Sequence, residues 1–351
     1  MLSCEQAVIE LGHRRAPRNQ VFDDDESALG SDSSSQSASI TSSILNYKYE
    51  NGRRYHAYRE GEYMLPNDEL EQDRLDLHHH VFRLTLGGRL FRAPIVAYPQ
   101  RVLNFGTGTG IWAMDFADAF PSAEVIGTDL SPIQPSWVPP SCKFYVDDVE
   151  SDWTYSPDEA FDFVHGRGMG GSIRDWSHLY SQAHEHLKPG GWIEMQEYEA
   201  WIRSDDDTID NAPSVKQWQE LCDEASTKFG KKLNVAEAHK QRLIDAGFVD
   251  VRDDVYKVCS NLPYPAADTH IRLQVPIGTW PRDPKLKELG KYQLEQMCDC
   301  VEPFTLALLT RILKWRNEEC QVLMAGVTRD FRSRRNHLYV NFHFAYGRKP
   351  D

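Results

Sequence analysis

The chain has no apolar run long enough to span a membrane, and its first residues lack the apolar core of a signal peptide. Both absences predict a soluble protein that works inside the cell. Basic charge is scarce: 39 Lys and Arg stand against 53 Asp and Glu, a formal net charge of −14. Phosphate backbones are held by a basic face, so direct nucleic-acid binding by bulk electrostatics is not expected. Cysteine is present but unpatterned. Seven residues, an odd number with no C-x-x-C pair, argue against a disulfide framework or a zinc site and for a reducing compartment. No repeat of solenoid period occurs. A length of 351 residues suits one large domain or two small ones and can bury a proper core.

What is present is organised around Arg101 to Ser131. Val102-Leu103 reads as a buried strand. Gly106, Gly108 and Gly110 follow at alternate positions, then a helical pattern from Ile111 to about Phe120, with Pro121 just beyond. A second apolar run, Ala123 to Gly127, ends on Asp129. Glycine lets the turn adopt angles closed to other residues and lets a ligand lie against the main chain. A helix N-terminus presents free N–H groups and partial positive charge. Asp129 stands where doubly wound folds place an acid on ribose hydroxyls. The dinucleotide fingerprint G-x-G-x-x-G would need glycine at Ile111, so the ligand is expected to be a nucleoside carrying a negative group rather than a dinucleotide.

The rest divides into five segments. Residues 1–43, with DDDE at 23–26 and a Ser-rich run to Ser43, read as a disordered acidic tail. Residues 44–98 carry an aromatic, basic stretch containing Tyr55 and His56, then a helix capped by Asn67 with an apolar face from Leu70, Leu75, Leu77, Val81, Phe82 and Leu84. His78-His79-His80 point in different directions on that helix, so they read as surface or packing residues rather than a metal tract. Residues 99–258 alternate strands and helices: strands at 143–146, 161–164, 192–197 and 248–258, helices at 177–187 and 235–246, and a turn at Lys188-Pro189-Gly190-Gly191. Residues 259–336 read as a Pro-rich loop followed by helices over 283–300 and 302–326; residues 337–351 hold the last strand, through LYVNFHFAY. The pattern predicts an α/β three-layer sandwich with a seven-stranded, mainly parallel sheet. Trp112, Trp137, Trp153 and Trp176 read as core. The cluster Arg329, Arg332, Arg334 and Arg335 reads as a solvated helix end, with a localisation signal or partner site as the alternative.

Several runs in order, VLNFGTGTGIWA, VIGTDLSPIQPSWVPP, DDVE, FDFVHGR and LKPGGWIEMQE, resemble the fungal LaeA-like class I S-adenosylmethionine-dependent methyltransferases. The likeness runs from ENGRRYHAY to the C-terminus, and the G-x-G-x-G turn resembles the family's first motif. It implies a Rossmann-like fold and S-adenosylmethionine as cofactor. By position it implies that Gly106, Thr107, Gly108 and Gly110 line the methionine part, that Asp129 and Leu130 hold the ribose, and that Asp148 and Val149 meet the adenine, with Asp147 competing for that role. His165 would face the methyl-donor end, and the Tyr55-His56 segment would fold over the pocket as a lid. The class I enzymes it resembles often carry an acid two residues before the first glycine; here Asn104 stands there and brings no charge to the cofactor's ammonium.

Methyl transfer needs nucleophile and methyl held in line, and a base where the nucleophile is protonated. His165 is the first candidate base, with a structural histidine as its alternative; Glu197, with Tyr198, is the second. Arg167 would hold substrate or the cofactor carboxylate, or pair with an acid. The resemblance implies methylation of a small molecule in fungal secondary metabolism, or, alternatively, a nuclear LaeA-like regulator of metabolite gene clusters acting with protein partners. Cytoplasmic and nuclear locations follow from the two readings respectively.

Overall fold

The structure, a computed structural model, describes residues 47–255 and 273–351. The acidic tail and the Pro-rich part of the loop after residue 258 lie outside the described residues.

A small hairpin opens the described chain, β1 (Lys48–Glu50) and β2 (Arg53–Tyr55). The helix α1 follows (Glu69–Thr85). Its cap is Asp68, whose carboxylate accepts from Glu71 N at 3.1 Å, not Asn67 as the sequence suggested. Asn67 is used elsewhere: its Nδ2 donates to Ser131 Oγ at 3.2 Å. The buried face of α1 also departs from expectation. Leu70 is 71% exposed, whereas Glu71, Arg74, His78 and His79 are buried with Val81 and Phe82. The helix packs against other elements through a polar stripe, which apolar periodicity does not register.

The sheet comprises β3 (Arg101–Phe105), β4 (Glu124–Asp129), β5 (Cys142–Val146), β6 (Phe161–Arg167), β7 (Leu187–Tyr198), β8 (Val249–Val255), β9 (Leu273–Pro276) and β10 (Tyr339–Arg348). The order is β5-β4-β3-β6-β7-β10-β8. β3 to β7 pair in parallel, and β10 runs antiparallel to β7 and β8. The seven expected strands are present. The eighth, β9, pairs Leu273–Pro276 with Phe342–Tyr339 and was not anticipated. The Lys188–Gly191 turn lies within β7, with a register shift opposite Phe161 and Phe163.

Strand alternation assigns the two faces. Leu103, Phe105, Val164, Ile193 and Met195 pack with α3 (Trp176–His186) and Phe248. Val102, Phe163 and Trp192 pack with α2 (Ile111–Ala119) and the linker residues Leu90 and Ala93. Glu194 anchors that linker: its Oε2 accepts from Arg92 N at 2.7 Å and Ala93 N at 2.6 Å.

A third core joins α1, α4 (Pro213–Phe229), α6 (Pro284–Ala307) and α7 (Asn317–Arg332) to the β9 half of β10; α5 (His239–Asp245) precedes β8. The expected break near residue 301 is absent. Pro303 sits inside α6, and the helix ends through a π-helical turn, Leu308–Ile312. Of the four tryptophans read as core, Trp112 and Trp176 are buried and Trp153 is half-buried. Trp137 is 85% exposed. Arg329 and Arg332 close α7 at its solvated end, paired with Asp330 and Glu295.

Candidate active site

The glycine turn adopts the angles its sequence requires. Gly106, Gly108 and Gly110 have φ of +58°, +57° and +82°, and Gly110 caps α2 in the left-handed region. A side chain at Gly106 would strike Met169, and one at Gly110 would strike the Phe144 ring. Asp129, at the end of β4, reaches into this turn. Its Oδ2 accepts from Gly108 N at 2.8 Å and its Oδ1 from Ser131 N at 2.9 Å. Burial nevertheless pushes its carboxyl up to about 6, with those amide bonds pulling it down.

A cleft runs along the C-terminal ends of β3 to β6. Gly106, Gly108, Asp129, Leu130, Asp147, Asp148 and Val149 all line it. The sequence therefore brought together the residues expected near ribose and adenine. It missed the residues on the opposite wall, from irregular backbone and from α1: Glu62, Tyr63, Asn67, Glu71 and Leu75. Tyr55 does not line this cleft. It is 3% exposed in the helical core, with the Arg311 guanidinium 4.5 Å from its ring centre; Tyr63, eight residues on, is the tyrosine at the cleft.

The cleft continues into a second cavity beside the N-terminus of α2, lined by Asn104, Thr107, Ile111, Trp112, His165 and Arg167 among others. Here β3 and β6 place Asn104 beside His165. Asn104 Nδ2 donates to His165 Nδ1 at 3.0 Å, and Thr107 Oγ1 donates to Asn104 Oδ1 at 2.7 Å. The imidazole is fully buried and lies on Trp112, with ring centres 3.7 Å apart and planes 3° from parallel. Burial holds its pKa well below the usual histidine range, with Arg167 adding to the effect. A neutral ring whose Nδ1 lone pair is taken by Asn104 has little capacity as a base. The geometry therefore fits the structural alternative for His165.

Arg167 meets His79, not an acid: its Nη1 donates to His79 Nδ1 at 3.0 Å. Arginine has no acceptor, so His79 carries its hydrogen on Nε2 and donates to Asp115 Oδ2 at 3.0 Å. Among the described residues no carboxylate lies within ion-pair distance of Arg167, and burial lowers its pKa to about 10. Glu197 is 2% exposed and faces a third cavity. It accepts from Gly170 N at 2.9 Å and Tyr198 N at 3.3 Å, and burial pushes it up to about 7.

The segment before α1 is tied over the Asp148 end of the cleft by charge. Arg59 lies 3.3 Å from Asp148 and donates to Ser151 at 3.1 Å. Glu62 reaches Lys231 and Arg174, each at 3.2 Å, and Lys231 also pairs with Glu150 at 2.7 Å.

An adenosine carrying a charged amino-acid tail presents a diol, a purine and a carboxylate. The cleft supplies a carboxylate at the turn, an acid beside an apolar residue after β5, and an arginine without an acidic partner among the described residues. These residues fit S-adenosylmethionine. The sheet order, with its reversed β10 and its ligand cleft at the strand ends, defines a Rossmann-like class I methyltransferase.

Comparison with known proteins specifies the family. A profile described as a methyltransferase domain matches residues 77–252. The methyltransferase pytC of Aspergillus terreus is 40% identical over 330 residues, 93% of this chain and 95% of that protein. The secondary metabolism regulator LAE1 of Cochliobolus heterostrophus is 37% identical over 307 residues, 86% and 94% respectively. A solved phosphoethanolamine N-methyltransferase 2 of Haemonchus contortus, in complex with S-adenosyl-L-methionine, aligns with a TM-score of 0.46 at 16% identity, covering 91% of this chain and 75% of that one. The chain belongs to the fungal LaeA-like, S-adenosylmethionine-dependent methyltransferase family. No helix among the described residues is long and apolar enough to cross a membrane.

Proposed function

We propose that this enzyme transfers the methyl group of S-adenosylmethionine to a small-molecule acceptor in fungal secondary metabolism. The observation that carries this reading is the meeting of two cavities. The methyl-donor end of the cleft shares Tyr198 and Phe304 with a small cavity under the insertion helices, where an acceptor of limited size would sit beside the donor. The name of the 40%-identical relative, a methyltransferase, agrees with it.

In this reading the turn Gly106–Gly110 and Thr107 cradle the methionine part. Asp129 and Leu130 hold the ribose, and Asp148 and Val149 hold the adenine. Arg167 takes the cofactor carboxylate. The bound cofactor supplies an activated methyl on a sulfonium; the chain supplies position and a dry site. The segment before α1 acts as the lid, with Glu62, Tyr63 and Arg59 at the cleft rather than Tyr55.

The second reading, a regulator of metabolite gene clusters acting with protein partners, is favoured by relatives named as regulators at 37% and 33% identity. It carries the nuclear location, and the first carries the cytoplasmic one. A metabolite comparison between deletion and wild-type cells separates them. Loss of one methylated compound is expected; silencing of many compounds sinks the pathway-enzyme reading.

A further inference from the structure

The cavity that meets the methyl-donor end has an unusual balance of walls. Trp218 of α4, Met297 and Phe304 of α6, and Val340 of β10 are apolar or aromatic. Trp218 Nε1 donates to Thr305 Oγ1 at 2.8 Å, which fixes the indole as one wall. No Lys, Arg or His is among the lining residues. Two carboxylates are, and their surroundings differ.

Glu199 accepts from Arg203 Nε at 2.8 Å and Asn341 Nδ2 at 2.9 Å, and lies 3.3 Å from His343 Nε2. His343 Nδ1 is in turn 2.8 Å from Asp253. Glu199 is thus a fixed anion, already compensated. Glu197 is the opposite case: it accepts from backbone N–H groups, and no cation pairs with it among the described residues.

We propose that this cavity is the acceptor site, that it takes an uncharged, flat molecule carrying a ring hydroxyl, and that Glu197 is the catalytic residue that removes the hydroxyl proton. This rests on the methyltransferase reading above and names its substrate class. An acidic acceptor would be buried among apolar walls and two carboxylates with no cation to meet it, which is strongly unfavourable. A protonated amine would find one carboxylate already taken by Arg203, Asn341 and His343 and the other turned onto backbone N–H groups. A hydroxyl enters neutral and loses its proton only as the bond forms. The acceptor oxygen bonds to the methyl carbon, and the carbon–sulfur bond breaks with its pair remaining on sulfur. The proton passes to Glu197, leaving a methyl ether, a neutral thioether and a protonated carboxyl.

The test uses the full chain saturated with S-adenosylhomocysteine and two probes, 4-methylphenol and 4-methylbenzoate, followed by ligand-observed NMR. The phenol is expected to bind and the benzoate not. Cys222→Trp and, at the cavity edge, Ala200→Trp should each weaken the phenol at least tenfold. Glu197→Gln should keep S-adenosylhomocysteine affinity within twofold while labelled-methyl transfer to extract metabolites falls about a hundredfold, the range for loss of a positioned base. Retained cofactor affinity also certifies that each variant is folded. Benzoate binding as tight as phenol, no phenol binding, phenol binding untouched by both tryptophan variants, or full transfer by Glu197→Gln overturns the proposal. Absence of cofactor binding in the unmodified chain is a different failure, that of the methyltransferase reading itself.

Discussion

Asn104 donates a hydrogen bond to His165 Nδ1 across adjacent strands, at 3.0 Å. An aspartate there would set a carboxylate oxygen against the imidazole lone pair. The ring could relieve this only by taking a proton on Nδ1. Asn104→Asp is therefore expected to raise the His165 pKa, which burial holds well below the usual histidine range in the unaltered protein. Nitrogen-15 spectra of the histidine rings check this; identical His165 shifts in both proteins would contradict it.

Asp129 both clasps the turn and faces the cleft. Asp129→Ala removes the acceptor of two amides and the group assigned to the sugar diol. Calorimetry with S-adenosylmethionine should show at least a tenfold loss of affinity. Unchanged affinity would remove this residue from the binding site.

The ion pairs of Arg59 and Glu62, on the segment proposed as a lid, are half-exposed, with side chains 49% and 47% accessible. Exposed pairs contribute little individually and weaken with salt. Arg59→Ala with Glu62→Ala should speed cofactor release roughly two- to fivefold at low salt and hardly at all at 1 M salt, as read by stopped-flow displacement. A salt-independent effect would mean that the lid is held by packing instead.

His343 lies between Asp253 and Glu199, and those carboxylates raise its pKa to about 9 in spite of burial. A histidine with a raised folded pKa stabilises fully below its unfolded value and loses that contribution as pH climbs through the folded one. The gap from 6.5 to about 9 is worth on the order of 3 kcal/mol. His343→Gln should lower the melting temperature most near pH 6 and much less at pH 9.5. An equal loss at both values would exclude linkage as the cause.

The sequence was most legible where backbone conformation demands one residue type. The glycine turn, the acid ending β4 and the acid–valine pair after β5 are local, so their positions in the chain predict their positions in space. It was least legible where polar groups do the packing. Periodicity selected Leu70 as a buried residue, but the buried stripe contains Glu71, paired locally with Arg74, and two histidines, of which His79 meets Arg167 and Asp115 only after the fold is complete. Tyr63 was missed because it lies in the chain between β2 and α1, which has no regular period to say which ring faces the cleft. Pro303 was read beside a helix boundary, although α6 absorbs it and turns only five residues later. β9 was hidden because its four residues gain a ladder only from the near half of β10.

That shared strand has a mechanical consequence. Along one edge β10 continues the floor on which the nucleoside is laid; at its start it is the peg from which the insertion hangs through β9. The canopy over the cavity proposed for the acceptor can thus be recut, helix by helix, without disturbing the donor's bed, provided β10 and Phe304, which also lines the donor-side cavity, are left untouched. Chimeras that exchange residues 277–336 between relatives, Phe304 excepted, should inherit the selectivity of one parent and the cofactor grip of the other.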